Sequence, residues 1–551
     1  MKSLRITAIL LLASTLVLAK HPKIAEDLEE ADPSSTVDVI VQFRQTPTEA
    51  HHQKVRDKGG KDKATLRLVN GGVYSVPGGK LKELANDPDV VYISPDRPLR
   101  GAVDKAGPAV LADIAQQYGW DGTGIGVAVL DTGIAGIPDL QSKNSTASRI
   151  VYAESFVPRN ATTDNYGHGT HVSGIIAGNG SSSTGSTYKV TLRGIAPNAN
   201  LINLRVLDSN GVGKDSYVIA AIQRAIEIKN QYNIGVMNLS LGRPVAGSYQ
   251  TDPLCQAVEA AWNAGIVVVV AAGNAGRDNS QSTFGYGTIT APGNDPYAIT
   301  VGAMKTLGTP SRSDDLIASY SSKGPTLLDH VVKPDIVAPG NRIVSDSSTG
   351  MKLPGNYPAN RVDYSYYMTS VTGRSFDYFI LSGTSMATPM VSGAAALLLQ
   401  QNPNLTPDQV KARLMKTAST SFPASSIATD PVTGITYTSQ YDIFTIGAGY
   451  LDVWAALNNS DVASGSAQSP SVTFNPATNT VTMVTGTSVV WGTGVVWGTG
   501  MVWGTSVVWG TGVVWGTGSP SGTSVVWGTS VVWGTGQPAG ESTSIAINGE
   551  N

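Results

Sequence analysis

The sequence predicts an α/β protein: a parallel, doubly wound sheet, preceded by a small ferredoxin-like α+β unit and followed by a repeat tail that reads as β. Three observations carry this. Between about residues 103 and 460, near-continuous apolar strands alternate with helical stretches, the pattern of a parallel sheet covered on both faces. Residues 20 to 102 give shorter signals in the order β-α-β-β-α-β, that of a ferredoxin-like unit. From 461 to 551 there is no Lys or Arg, and a tryptophan recurs with a spacing of six.

Taken in order, the first segment is MKSLRITAILLLASTLVLA, residues 1–19. Lys2 and Arg5 precede an apolar run, Ile6 to Leu18, and Val17 and Ala19 suit a cleavage site. This reads as a secretory signal, too short for a membrane span, and predicts a secreted, extracellular or surface-associated protein. Export permits disulfides, yet Cys255 is the single cysteine, so no intrachain bridge is available.

In the second segment VDVIVQFR (37–44) alternates as a strand and PTEAHHQKVRDKG has helical composition. ATLRLVN and GGVYSVP read as paired strands, GGKLKELAND as a short helix and VVYIS as a last strand. Lying between a signal and a larger unit, residues 20–102 occupy the place of a propeptide.

In the bulk of the chain the strands are GIGVAVLD (124–131), NANLINLRVL (198–207), IGVMNLSLG (234–242) and AGIVVVVAAGN (264–274). Helices are predicted over 216–232 and 252–265. In such sheets ligands bind beyond the carboxyl ends of the strands, where Asp131, Gly242 and Asn274 fall. The net charge of -3 shows no basic excess, which argues against a nucleic-acid partner.

Chemistry concentrates in three short stretches. DNYGHGTHVSG (164–174) carries His168 and His171, spaced to share a helix face. A metal reading lacks support: beyond the first unit only His330 and Cys255 remain as soft ligands, and Gly169 stands where a zincin helix has Glu. A catalytic-base reading needs a carboxylate and a nucleophile. VAVLDTGI supplies Asp131 at a strand end, and LSGTSMATPMVSGAAALLLQQ supplies Ser385 at the start of an apolar helix, with Pro389 expected in its first turn. Singly, each stretch could be a turn, a cap or a packing residue. An aspartic protease would need a second Asp-Thr-Gly, and an α/β-hydrolase would need Gly-x-Ser-x-Gly, which Ala387 breaks.

DTG (131–133), HGTHVSG (168–174) and SGTSMATP (382–389), in that order, resemble the three signature blocks of the subtilisin-like serine proteases. SLG (240–242), AAGN (271–274) and YSSKGP (320–325) match further blocks of that family. The resemblance implies a subtilisin-like fold over 103–460 and a secreted serine endopeptidase made as a self-processed zymogen, with residues 20–102 as its own inhibitor. It makes Asp131 the orienting acid, His168 the base, Ser385 the nucleophile, Asn274 an oxyanion donor, and His171 structural. It places the substrate backbone and S1 pocket at Ser240, Leu241, Gly242, Ala272 and Gly273, with Thr290 where many relatives have glycine at the pocket floor. These small or apolar linings imply protein substrates cut after large apolar residues. No cofactor for catalysis is implied. Asp139, in IPDL, resembles a structural calcium-ligand position, though a turn cap explains it as well, and GNGSSSTGSTYKV (178–190) departs from the family's calcium loop. The alternative is a catalytically weak secreted binding or assembly protein on a protease scaffold; it predicts a missing triad member, and none is missing.

In the last segment, 461–551, Trp491, Trp497, Trp503, Trp509, Trp515, Trp527 and Trp533 keep the spacing of six, with one slot (519–521) reading SPS. Val-Val-Trp favours strands and Gly-Thr-Gly turns. The expectation is a set of short strands docking to cell envelope or polysaccharide, on an otherwise monomeric enzyme that does not need the tail for catalysis.

Overall fold

A computed structural model describes residues 21–25, 28, 32–33, 35–95, 105–143, 145–280, 282–369, 371–475, 480–484, 501–503, 507–509 and 539–550. The expected signal segment lies outside them, as do all the tryptophan repeats except the copies at Trp503 and Trp509. The chain divides into two compact units, 1–100 and 101–551.

In the first unit β1 (Thr36–Phe43), helix Glu49–Arg56, β2 (Lys61–Leu66), β3 (Gly71–Pro77), helix Leu81–Ala85 and β4 (Val90–Pro95) follow in order. The antiparallel sheet runs β2-β3-β1-β4. Alternation buries Val39, Val41 and Phe43 of β1 against Val55, Leu81, Leu84 and Ile93. The second half of the segment expected as one strand (64–70) turns instead into a short 3-10 helix, Arg67–Val69, closed by Asn70 at φ 51°.

The second unit is built on β5 (Gly126–Asp131), β6 (Ile150–Ser155), β7 (Asn200–Arg205), β8 (Ile234–Leu239), β9 (Val267–Ala271), β10 (Ile299–Lys305), β11 (Leu316–Ile317) and β12 (Ile336–Pro339). They form one sheet, β11-β10-β9-β8-β5-β7-β6, with β12 also parallel to β10 and β11 the antiparallel edge. The strands are apolar on both faces because helices cover them; every residue of β9 is buried. Helices Asp215–Tyr232 and Pro253–Asn263 pack on each other and on β8 and β9 respectively. Asp252 caps the second of these, accepting from Leu254 N, with Pro253 at the first helical position.

The helix Thr384–Gln401 packs on β8, β9, β10, β12 and on helix His168–Ala177. Its residues 384–399 are buried except Ser385, so its sequence has no polar face to spare. Pro389 lies in its second turn, one turn later than the sequence reading placed it. The proline cannot donate to the carbonyl of Ser385, and the Ser240 hydroxyl donates to that oxygen instead at 2.8 Å.

The expected boundary near residue 460 is not an end of this unit. Ala463, Ala467 and Val472 join the apolar cluster around Val332 and Phe444. Ser469 hydroxyl bonds to Asp335, whose buried carboxylate also pairs with Lys333 at 2.7 Å and Lys411 at 3.2 Å. Burial draws the Lys411 ammonium down to about 7, against the pull of Asp335. Breaking such a buried set by removing one partner costs about 3–5 kcal/mol.

Residues 539–550 also belong to the unit: helix Ala539–Asn548 places Ile545 and Ile547 in the main core. The low-charge composition after 460 predicts a repeat tail. It suits equally a segment that buries small and apolar side chains, and in these two stretches it does. β18 (Ser471–Asn475) pairs with β19 (Thr480–Val484), and β20 (Met501–Trp503) with β21 (Val507–Trp509), both antiparallel. The second pair opposes Met501 to Trp509 and Trp503 to Val507, a hairpin register within two copies of the repeat.

Candidate active site

Asp131 ends β5, Ser240 follows β8 directly, and Asn274 follows β9, so three sequence-predicted residues meet at the carboxyl edge of the sheet. His168 is the first residue of its helix, which packs on both β5 and the helix carrying Ser385.

Asp131 is buried and its Oδ1 lies 2.7 Å from His168 Nδ1. A carboxylate can only accept, so Nδ1 carries the hydrogen and Nε2 is left with the lone pair a base needs. The same Oδ1 accepts from Thr132 N at 2.8 Å. Burial pulls the imidazole pKa down, but the Asp131 charge and hydrogen bond, with Asp164 adding to them, outweigh it and hold His168 above its usual 6.5.

Gly169 must be glycine: a Cβ there would stand 2.2 Å from the Gly133 carbonyl and 3.1 Å from Asp131 Cβ. That close approach lets the helix start beside the strand end. Buried Asp164 fixes the approach, accepting from the backbone of Tyr166, Gly167 and Thr170 and from the hydroxyls of Thr132 and Thr170. Sequence reasoning missed Asp164, although an acid just ahead of a helix start is a cap signal.

His171, one turn on, is wholly buried, with Nε2 3.1 Å from the carbonyls of both Ile343 and Phe379. These belong to β13 (Ile343–Asp346) and β15 (Arg374–Leu381) of a small antiparallel sheet. Two carbonyls around Nε2 require a hydrogen there, and burial, with the His168 charge, holds the ring neutral by lowering its pKa to about 3. It pins two strands and is not a base.

The Ser385 hydroxyl donates to the Ser240 carbonyl at 3.2 Å. Asn274 Oδ1 accepts from Thr384 N at 2.9 Å and from the Thr384 hydroxyl at 3.1 Å. That fixes the amide with Nδ2 toward Gly383, whose φ of 144° and whose missing Cβ, 3.2 Å from Nδ2, make room for it. Thr384 is thus a second residue the sequence reading passed over; its neighbour Ser385 drew the attention.

The segment at Thr290 joins the edges at 240–243 and 271–273. Thr290 N donates to Ala272 O at 3.0 Å, and Ala291 and Arg243 exchange backbone hydrogen bonds of 2.8 and 2.9 Å. Added Cβ atoms at Gly242 and Gly273 would come within 2.5 and 2.8 Å of the Thr290 side chain. Thr290 therefore sits between the two edges, with Leu241 half-buried beside them.

These features agree with what the chain resembles. The subtilase family matches residues 122–449. The chain belongs to the subtilase family. It is 37% identical to serine protease AprX of Bacillus subtilis over 68% of this chain and 80% of that one. It is 34% identical to subtilisin E of the same species, over 76% and 94% respectively. A further relative is an extracellular serine proteinase of Thermus sp., 35% identical over 64% and 72%. This subtilase is a subtilisin-like serine endopeptidase.

Asp139, the expected calcium-ligand position, is buried in a 3-10 turn, Pro138–Leu140. Its Oδ1 accepts from Ser182 N at 2.5 Å and its Oδ2 from the Tyr378 hydroxyl at 2.6 Å. Two hydrogen donors aimed at the carboxylate do not suit a cation, so the residues here do not fit calcium; nor does the side chain cap its own turn, since its partners are Ser182 and Tyr378. Among the described residues no group of three or more His, Cys, Asp or Glu side chains is gathered as a metal site.

The two histidines should separate in a pH titration followed by nitrogen NMR on the Ser385→Ala protein. His168 should titrate above 6.5 and, in Asp131→Asn, move downward; His171 should stay neutral to below pH 4 or so, given its value of about 3. A His168 midpoint unmoved by Asp131→Asn would refute the pairing.

Proposed function

We propose that catalysis runs through Ser385, His168 and Asp131. Ser385 Oγ attacks the scissile carbonyl carbon while His168 Nε2 takes its proton; the C–N bond then breaks as His168 returns that proton to the leaving amine. Water, deprotonated by the same ring, hydrolyses the acyl-enzyme. Asp131 holds the tautomer and steadies the imidazolium, and Asn274 Nδ2 with the Ser385 N–H binds the oxyanion. The observation that carries this is the 2.7 Å Asp131–His168 bond from a buried carboxylate at the sheet edge that also holds Asn274. The Ser385 hydroxyl must swing from the Ser240 carbonyl to Nε2 before attack.

The protein is proposed to be secreted as a zymogen. Among the described residues no helix is long and apolar enough to cross a membrane. Residues 20–102 would assist folding, inhibit, and be removed by the enzyme itself between about Leu99 and Gly107. Ser385→Ala should lower peptidase rate by about five decades or more, the scale found on removing a triad residue from a subtilisin, a relative of this chain. It should also be secreted uncut. Normal maturation of that variant in a protease-free host, or labelling of a different serine by a phosphonofluoridate, would sink the assignment.

Thr290 is proposed to limit the depth of an S1 pocket that takes large apolar side chains rather than Lys or Arg. Thr290→Gly should raise kcat/KM for P1 Phe over P1 Ala by about ten- to a hundredfold, the value of about one methylene in an apolar pocket. An unchanged ratio on a peptide series would place S1 elsewhere.

The tryptophan repeat is proposed to dock to envelope or polysaccharide material. The β20–β21 register supports strand formation, and uncharged indole-rich surface favours burial against a partner. Since residues 539–550 are part of the peptidase unit, the deletion that tests this is internal. Replacing 486–537 by a Gly/Ser linker should keep hydrolysis of a small soluble peptide and abolish retention on cells or insoluble polysaccharide. Full retention would refute the docking role.

A further inference from the structure

Glu550 is wholly buried, an unusual place for a carboxylate unless it is paired. Its Oε1 accepts from Arg277 Nη2 at 2.7 Å, from Ser319 N at 3.0 Å and from the Ser319 hydroxyl; its Oε2 lies 3.3 Å from Lys305 Nζ. Arg277 and Lys305 are themselves buried, and Asp430, 3.2 Å from Arg277 Nη1, brings the set of four to charge balance.

The backbone of the same segment is tied just as closely. Asn341 and Glu550 exchange two bonds of 2.8 Å, side-chain amide to main chain in both directions. Ser382 N donates to Ala546 O at 2.9 Å, and Asn360 Nδ2 to Ile547 O at 2.5 Å.

These anchor points straddle the catalytic machinery. Arg277 lies three residues after Asn274, in a loop whose Gly276 N donates to Tyr320 O and whose Ala275 N donates to the Ser322 hydroxyl. Ser382 lies three residues before Ser385, and the next residue, Gly383, donates to Gly340 O, beside Asn341. The two loops meet where Thr384 binds Asn274. One segment therefore braces the oxyanion loop through a charge and the nucleophile loop through its backbone.

We propose that residues 539–550 are a latch, with Glu550 its positioning residue, that sets the Ser385 and Asn274 loops in reacting register. The latch follows the repeat in the chain. Peptidase competence then depends on the chain being intact through residue 550. This rests on the roles proposed above for Ser385 and Asn274. The two ideas fail differently: loss of Ser385 abolishes labelling, whereas loss of the latch leaves labelling possible but slow.

The test uses the full chain, with active sites counted by burst titration and kcat and KM measured per counted site. Glu550→Gln removes the charge and keeps the side-chain shape. It should lower kcat about ten- to a hundredfold, the scale on which ~1 Å displacements of reacting groups act, with KM changed by less than about threefold. Gly549→Ala keeps every charge but sets a Cβ 2.4 Å from the Ser382 hydroxyl, at a φ of 61°. It should give the same split. Unchanged kcat per counted site in either variant, whatever its thermal stability, overturns the proposal. So does failure of both to fold, which would make the segment a folding element only.

Discussion

The structure depends on one helix that has nowhere to put a polar face. Thr384–Gln401 runs through the middle of the second unit, with β8, β9, β10 and β12 on it and the His168 helix alongside. Its Ala, Leu, Met and Val side chains are buried along its length, and Gly393 admits the Ile195 side chain, which would stand 2.5 Å from a Cβ there. Burial on every side fixes the helix axis to within packing tolerances. The single half-exposed residue in this run is Ser385, at the end that meets the carboxyl edge of the sheet. Ser385 is thus placed by the core itself, at the edge where Asp131 ends its strand, His168 starts its helix and Asn274 follows β9.

A core this dry makes buried charges costly unless they are matched. The charged groups around it come in sets: Asp131 with His168, Asp335 with Lys333 and Lys411, and Glu550 and Asp430 with Arg277 and Lys305. Each set joins segments distant in sequence, and with one cysteine in the chain these pairs do the cross-linking that disulfides do elsewhere. The signs of their pH dependence differ. His168, raised above its unfolded value, contributes stability that is present below about 6.5 and lost as pH rises through its folded pKa. Lys411, drawn down to about 7, acts oppositely: between that value and its ordinary 10.5 the unfolded chain binds more protons, so stability rises with pH there.

Much of this was legible in the sequence because the deciding information is local. A strand ending in Asp131, a helix beginning at His168 and an apolar run after Ser385 are each contained in about a dozen residues. Order and spacing then select the family. What was not legible joins residues far apart. Nothing near Glu550 announces that it meets Arg277, and low charge fits both a repeat tail and a buried return. Pro389 was set one turn early because the sequence does not show where the helix begins; Gly383 and the Ser240 hydroxyl, which settle it, lie in the fold. Thr384 and Asp164 were missed for the same reason: each works by holding another residue.

The surroundings of Asp139 carry that logic to a place where family resemblance and local chemistry diverge. Beside it lies Asp346, wholly buried, at the end of β13, the strand whose first residue, Ile343, accepts from His171. Burial, and then the charge and hydrogen bond of Asp139, push the Asp346 carboxyl well above the usual range, which favours its protonated form. With Tyr378 and Ser182 donating to Asp139 and Asp346 packed against it, this corner is a buried pair of acids held by hydrogen bonds. Glycine at 174 and 178 is what admits it: Cβ atoms there would stand 2.7 and 3.1 Å from Asp346 carboxyl atoms. An acid whose folded pKa is raised stabilises the fold at low pH and loses that contribution as pH rises through the raised value. A tyrosine hydroxyl and a backbone N–H hold this corner through hydrogen bonds, and the His171-pinned strands beside His168 rest on it.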